Sequence, residues 1–402
     1  MMKRDELNSE NAGQTAWRNE KNDIRTALVS TNSITQGEQV PILWKPLFEQ
    51  GVHINFAHRT FRWDSEASLK AHVHCVIIGF GYEDKHEKFI FSNDRKQIAK
   101  NINPYLINAP DVFIESRNIA ICNIPKIGIG NKPIDDGNYL FTKDEMNNFV
   151  EKEPKSKKYF KKWYGANEFI NNNPRYCLWL GDCSPNELRT MPVCLKLVQN
   201  VKYFRLKSKS EGTRKLAEKP TRFHVENMPE SDYILIPRVS SENRRYVPMG
   251  FLNSDTIASD SALIISNATL YHFGILTSNV HMAWMRAVCG RLEMRYRYSK
   301  DIVYNNFPWC EPTDVQKDKI EKTAQGILDA RDLYPDCSLA DLYYELTMPS
   351  ELRKAHQEND KAVMEAYGFK KKDENGKTKW LTEPETVARL MEMYKKLTAE
   401  KK

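Results

Sequence analysis

The octapeptide Val73-His-Cys-Val-Ile-Ile-Gly-Phe80 limits the fold more than any other stretch. It is apolar almost throughout, and a strand of that kind is covered on both faces. It therefore predicts a central place in a layered sheet. Two shorter strands precede it: Ala27–Ser30, which ends in the polar turn Ser30–Ser33, and His53–Phe56. Between these, Val40, Leu43, Trp44, Leu47 and Phe48 fall at helical spacing within Thr35–Gln50. Pro41 and Pro46 interrupt that pattern, so the helix is short or begins late. Arg59–Asp64, which carries Phe61 and Trp63, reads as a connecting loop with two exposed aromatics. These elements give an α/β class for the front of the chain.

A different pattern marks Gly290–Trp309. Glu293, Arg295 and Arg297 recur at every second residue, so on a strand all three share one face. Leu292, Met294, Tyr296 and Tyr298 take the other face and can anchor it on a core. Arg pairs bidentately with guanine N7 and O6, and Glu accepts from the cytosine amine, so such a face suits base edges in a major groove. A solvated edge strand with a Glu–Arg ion pair fits the same residues.

Charge is concentrated elsewhere. Lys155–Arg222 holds sixteen Lys or Arg against five acids, while the whole 402-residue chain carries only +7. A basic block in an otherwise slightly acidic chain points to a polyanionic partner, or else to a solvated basic surface. No apolar run approaches the roughly 20 residues that span a bilayer. The start, MMKRDELNSENAGQ, has no apolar signal core, so residues 1–22 read as a polar stretch with little order. Eight scattered cysteines without a CxxC pair suggest reduced thiols in a cytoplasmic protein.

Several motifs invite chemistry and do not support it. Asn103-Pro104-Tyr105 and Asn173-Pro174-Arg175-Tyr176 lack a second proline and read as turns. Gly128-Ile129-Gly130 has no strand-to-helix context, so it is a weak cofactor loop. Asp111 and Glu115 stand too close together for a nuclease pair, and no lysine follows at the right offset. His72 and His74 have no carboxylate or thiol partner nearby, so no metal site is expected. From about residue 311 the chain reads as helical, with a charged linker at Lys370–Lys379.

The order of the pieces carries a resemblance. Val29–Gln39, Asn55–Trp63 and Val73–Phe80 resemble the late part of a SAM-dependent DNA methyltransferase domain. Arg175–Leu180, Ile236–Ser241 and Tyr304–Trp309 resemble one family within that class, the MmeI-like Type II restriction–modification enzymes. The resemblance implies a truncated Rossmann-like methyltransferase sheet holding its last three strands, mutual neighbours with Ala27–Ser30 as an open apolar edge. A mixed α+β target-recognition domain and a C-terminal helical segment would follow. It divides the chain into a polar segment 1–22, a methyltransferase portion 23–100, a recognition domain 101–310 and a helical domain 311–402.

The family's Gly-rich SAM loop and its Asn-Pro-Pro-aromatic catalytic loop have no counterpart in this sequence. The resemblance therefore implies sequence-specific recognition of double-stranded DNA as part of an adenine-N6 methyltransferase, with no catalytic or S-adenosylmethionine-binding residue assigned here. An upstream polypeptide would supply the SAM-binding half. The alternative is a non-catalytic DNA-specificity module or decayed fragment. Phe61, with Trp63 as competitor, matches the aromatic that stacks on a flipped base; packing into local core is the plain alternative. Glu293, Arg295 and Arg297 are the expected base readers, with Asp260, Ser261 and Arg238 behind them. Arg244, Arg245, Lys207, Lys209, Arg214 and Lys215 are the expected phosphate contacts.

Overall fold

A computed structural model describes residues 25–63, 73–92 and 95–399; residues 1–22, Asp64 and His72 lie outside that set. The apolar octapeptide lies within a strand, β3 (Val73–Gly81), with a neighbour on each side. β1 (Arg25–Thr31) and β2 (His53–Trp63) both pair antiparallel to it, so these two run in the same direction with a reversed strand between them. Val76 and Ile78 are fully covered, as expected for an inner strand.

β4 (Lys88–Ser92) adds parallel to β2, and β5 (Arg95–Ala99) antiparallel to β4, giving the order β1-β3-β2-β4-β5. The sheet thus has five strands where the sequence suggested three. Lys88 hid the fourth, because a buried lysine breaks an apolar pattern. It is tolerated here because its Nζ lies 2.7 Å from the Asp84 carboxylate.

Arg59–Trp63 is not a loop. β2 continues through it, with Phe61, Arg62 and Trp63 opposite Cys75, His74 and Val73. A register shift between His58 and Phe61 breaks strict alternation, which is why the sequence read as a break. α1 spans Gln39–Glu49; Pro41 lies in its first turn, where a missing N–H costs nothing, and the helix carries on through Pro46. Its Trp44 is buried edge-on against Phe80 and donates to the Ile34 carbonyl at 2.8 Å.

The chain divides into two compact units. One comprises the described residues of Met1–Asn123, Asn279–Thr313 and Met364–Lys402; the other is Ile124–Ser278 with Asp314–Val363. The second unit holds two four-stranded sheets. In one, β10 (Tyr233–Pro237) is buried at every residue between β12 (Gly250–Leu252) and β14 (Ala262–Ser266), and β6 (Ile127–Ile129) pairs with β14. The Gly128–Gly130 stretch therefore belongs to a sheet, not to a cofactor loop. A Cβ on Gly130 would sit 2.1 Å from the Ser259 carbonyl, so close backbone approach explains that glycine.

The other sheet has the order β13-β8-β9-β7: β13 (Thr256–Ala258), β8 (Phe160–Tyr164), β9 (Arg175–Leu178) and β7 (Leu140–Phe141). Trp163, Trp179 and Phe223 pack in its core with α2 (Pro192–Leu206). β11 (Val239–Ser240) follows β10 after a single residue, Arg238.

In the first unit, α3 (Asn279–Val288) leads into a hairpin of β15 (Gly290–Leu292) and β16 (Arg295–Arg297). The single strand expected over Leu292–Tyr298 is thus corrected: the chain turns back at Glu293-Met294. Lys370–Lys379 is likewise no linker, since β17 (Lys370–Lys372) and β18 (Thr378–Trp380) pair antiparallel around a turn where Gly376 has φ +74°. Both strands are exposed along their whole length, so no apolar face betrayed them. Among the described residues no helix is long and apolar enough to cross a membrane.

Candidate nucleic-acid interface

The Gly290–Arg297 hairpin is built from underneath. His281 on α3 is fully buried and meets the Tyr298 hydroxyl at 2.8 Å, while its ring stands edge-on to Phe307 at 4.5 Å. Burial pushes His281 down to about 3 and raises the Tyr298 phenol well above its ordinary value, so both are neutral at pH 7. Trp284 donates to the Val303 carbonyl at 3.0 Å and fills the space beside them. Further along, Asn305 and Asn306 of the Tyr304–Trp309 stretch donate to the carbonyls of Arg117 and Glu115. That stretch is a structural clamp.

On this base Tyr296 and Tyr298 are buried, and Arg295 and Arg297 point to solvent. The expected alternation therefore holds over Arg295–Tyr298. It fails before that: Leu292 is 47% exposed, since a two-residue turn reverses the chain and leaves no core beneath it. Glu293 occupies the turn at φ +59°, a left-handed conformation that costs a residue with a Cβ about 1–2 kcal/mol. Its carboxylate accepts from the Arg295 guanidinium at 3.0 Å. Arg291 lies over the Tyr296 ring at 4.4 Å and donates to the Met294 carbonyl.

Phe61 is half-buried on β2, edge-on to His58 at 4.9 Å, and Trp63 is 52% exposed, with ring centres 6.2 Å apart. Both belong to the same unit as the hairpin.

The remaining expected residues fall in the second unit. Arg238, Asp260 and Ser261 come together there: the Arg238 guanidinium donates to the Asp260 carbonyl at 3.0 Å, and its N–H to that of Ser261. The Asp260 carboxylate lies 3.6 Å from Lys132, and the Ser261 hydroxyl accepts from the Ala166 N–H. Arg244 is half-buried and Arg245 exposed, its guanidinium 5.7 Å from the Tyr246 ring centre. Lys207, Lys209, Arg214 and Lys215 are all exposed past the end of α2. Arg214 spends two bonds on the Ser208 and Lys209 carbonyls, Lys215 pairs with Glu211 at 2.8 Å, and Lys207 sits over Tyr203.

One member of the basic block is not a surface charge. Arg205 is 0% exposed and donates to five carbonyls, those of Pro133, Ile134, Leu216, Lys219 and Arg222. An open cleft of about 940 Å³ in the same unit is lined by Lys157, Lys161 and Lys162 with Tyr164, Tyr176 and Phe251. Only the lysine run of that cleft is visible in the sequence, because its walls come from segments far apart in the chain.

Comparison with known proteins gives three successive matches along the chain. Residues 12–92 match the family described as MmeI, DNA-methyltransferase domain; 108–311 match MmeI, target recognition domain; and 312–401 match MmeI, C-terminal domain. DNA methyltransferase A of Bacillus subtilis (strain 168) is 40% identical over 377 residues, covering 94% of this chain and 42% of that protein. The solved structure of the Type IIL restriction–modification enzyme MmeI in complex with DNA superposes with a TM-score of 0.87 at 48% identity, covering 96% of this chain and 51% of that one. The chain thus spans about half the length of the relatives it matches. It belongs to the MmeI family of restriction–modification methyltransferases.

Proposed function

We propose that this chain reads a specific duplex DNA sequence for a site-specific, SAM-dependent adenine-N6 methyltransferase of a restriction–modification system. The observation that carries the reading is the hairpin: two guanidiniums on one exposed strand face, held up by two buried tyrosines, with a carboxylate at the turn. Arg295 and Arg297 donate to purine acceptors, and Glu293 accepts from an exocyclic amine. Asp260, Ser261 and Arg238 form a second, more rigid reading group. Arg244, Arg245, Lys207, Lys209, Arg214 and Lys215 neutralise phosphates without reading sequence. Phe61 or Trp63 stacks on the base withdrawn from the duplex.

S-adenosylmethionine finds no fit among the described residues. Among the described residues no Gly-rich turn links a strand to a helix, and the cavity beside β2 is lined by three arginines against one carboxylate, an excess of positive charge that disfavours a sulfonium cation. No catalytic step is assigned to this chain. A partner polypeptide carrying the SAM-binding half is favoured by β1, whose outer edge no described strand pairs and whose Val29 is 54% exposed. Such an assembly would work in the cytoplasm. Stand-alone DNA binding without catalysis is the second reading, favoured by the lack of a methyl-donor loop in these residues.

The test is selection of bound duplexes from a randomised pool, followed by Arg295→Ala. The variant is expected to relax preference at one base pair by about 1–3 kcal/mol and leave the other positions intact. Equal weakening on every sequence overturns the base-reading role.

A further inference from the structure

A cavity of about 310 Å³ lies in the first unit between β2, the loop before residue 108 and the Gly290–Arg297 hairpin. Arg59, Arg286 and Arg291 line it, with Thr60, Gln36 and Glu383. Arg59 and Arg291 are each held from one side. Arg286 is gripped by both carboxylate oxygens of Glu383, at 2.8 and 2.9 Å. Arg291 is fixed by the Tyr296 ring and the Met294 carbonyl.

Arg59 donates through Nε to the Leu106 carbonyl at 3.0 Å. That carbonyl belongs to a rigid loop: Leu106 sits at φ +57°, and the buried Asn103 side chain accepts from the N–H groups of Tyr105 and Ile107. Among the described residues no acceptor meets the two terminal nitrogens of Arg59. Burial lowers it from the ordinary arginine value, partly offset by Glu383. A desolvated, oriented guanidinium with its terminal nitrogens open to a cavity is costly unless an anion completes it.

Three guanidiniums against one carboxylate leave an excess of two positive charges around the cavity. We infer that this cavity is an anion site that takes one phosphodiester of the DNA backbone, gripped mainly by Arg59 and Arg291. The inference rests on the DNA-reading function proposed above and adds a fixed point to it. Arg59 lies two residues before Phe61 on β2, and Arg291 pairs across the hairpin with Tyr296, between Arg295 and Arg297. One phosphate held there would fix the backbone between the withdrawn base and the base pairs being read. A phosphodiester suits this place better than a free anion because both flanks of the cavity carry residues proposed to touch the same duplex.

The test replaces single phosphates of the selected duplex by neutral methylphosphonates, one linkage at a time, and needs no altered protein for its first arm. For the unaltered chain, one linkage or two adjacent ones are expected to lose roughly tenfold or more in affinity when neutral. Arg59→Gln should lose sensitivity at that linkage only, bind cognate and unrelated sequences weaker by the same factor, and show a salt slope shallower by about one. Arg291→Gln repeats the measurement should Arg59→Gln not fold, and Arg59→Lys should restore part of the sensitivity. A methylphosphonate profile and salt slope unchanged in both Gln variants overturn the inference while base reading stands.

Inorganic phosphate supplies a separate arm. If it raises the melting temperature of the unaltered chain and not of Arg59→Gln, while the DNA profiles agree, the cavity holds a free anion and the backbone assignment is wrong. If the unaltered chain binds no duplex, the proposed function itself fails, and this assignment with it.

Discussion

Arg205 and the Arg295–Arg297 pair look alike as sequence, guanidiniums in charged stretches with aromatics beside them, and the fold uses them in opposite ways. Arg205 falls on the buried stripe of α2, after Cys194, Val198 and Val201 at helical spacing, and all its donors are consumed by five carbonyls. It ties the Pro133–Ile134 segment to the Leu216–Arg222 segment. Arg295 and Arg297 fall on the open face of a strand whose other face buries Tyr296 and Tyr298. Their donors are largely unspent. Net charge over a segment therefore says little about charge on offer to a polyanion; the face of the element decides it.

The largest test of that contrast is Arg205→Ala. Five carbonyls lose their donor at once inside the protein, and each buried polar group left unsatisfied costs about 1–3 kcal/mol, so a total loss of at least about 3 kcal/mol is expected even after partial relaxation. Urea denaturation measures it. Arg205→Lys keeps the charge but has three donors for five carbonyls, so it should fall between the two. The salt slope of DNA binding by the folded protein should not change. An Arg205→Ala chain as stable as the original would place Arg205 with the surface charges and erase the contrast.

A smaller effect probes the support of the hairpin. His281 is held neutral by burial, with a folded-state value of about 3 against 6.5 for a free imidazole. The unfolded chain binds the proton first as pH falls, so the stability this group contributes is complete above about pH 6.5 and is lost progressively toward pH 3. At about 1.4 kcal/mol per unit, the loss reaches roughly 2 kcal/mol by pH 5. His272, lowered to about 4, and His356, lowered well below 6.5, act in the same direction. Comparing His281→Gln with the original chain isolates one of the three: the variant is less stable at pH 7, and its stability should fall less steeply between pH 6.5 and 5. Parallel curves would mean that His281 does not stay neutral in the folded protein.

Legibility in the sequence followed the same division. β3 was plain because a strand covered on both faces needs an apolar residue at nearly every position. The Arg295–Tyr298 alternation was plain because a half-buried strand has a period of two. β4 was hidden by Lys88, whose burial depends on Asp84, a partner that no periodicity reveals. The turn at Glu293-Met294 was hidden because neither residue is one that tight hairpins prefer; Glu293 adopts a left-handed conformation where glycine or asparagine is the usual occupant. The arginine-lined cavity was out of reach altogether, since Arg59, Arg286 and Arg291 come from three elements that only the fold brings together.

The smallest stability effect carries the sharpest discrimination. Glu293→Gly removes an exposed ion pair with Arg295, worth about 0–1 kcal/mol, and relieves the left-handed strain of about 1–2 kcal/mol. It also gives the unfolded chain more freedom to lose, which offsets about 0.5–1 kcal/mol of that relief. The melting temperature should therefore stay within a few degrees of the original. A glutamate at a position that favours glycine is explained if its carboxylate is used outside the protein. On selected duplexes the same variant should lose preference at a single base pair and keep its affinity for the phosphate backbone. Unchanged selectivity together with a marked drop in melting temperature would make the Glu293–Arg295 pair a structural brace, and the hairpin would then stand on the same side of the comparison as Arg205.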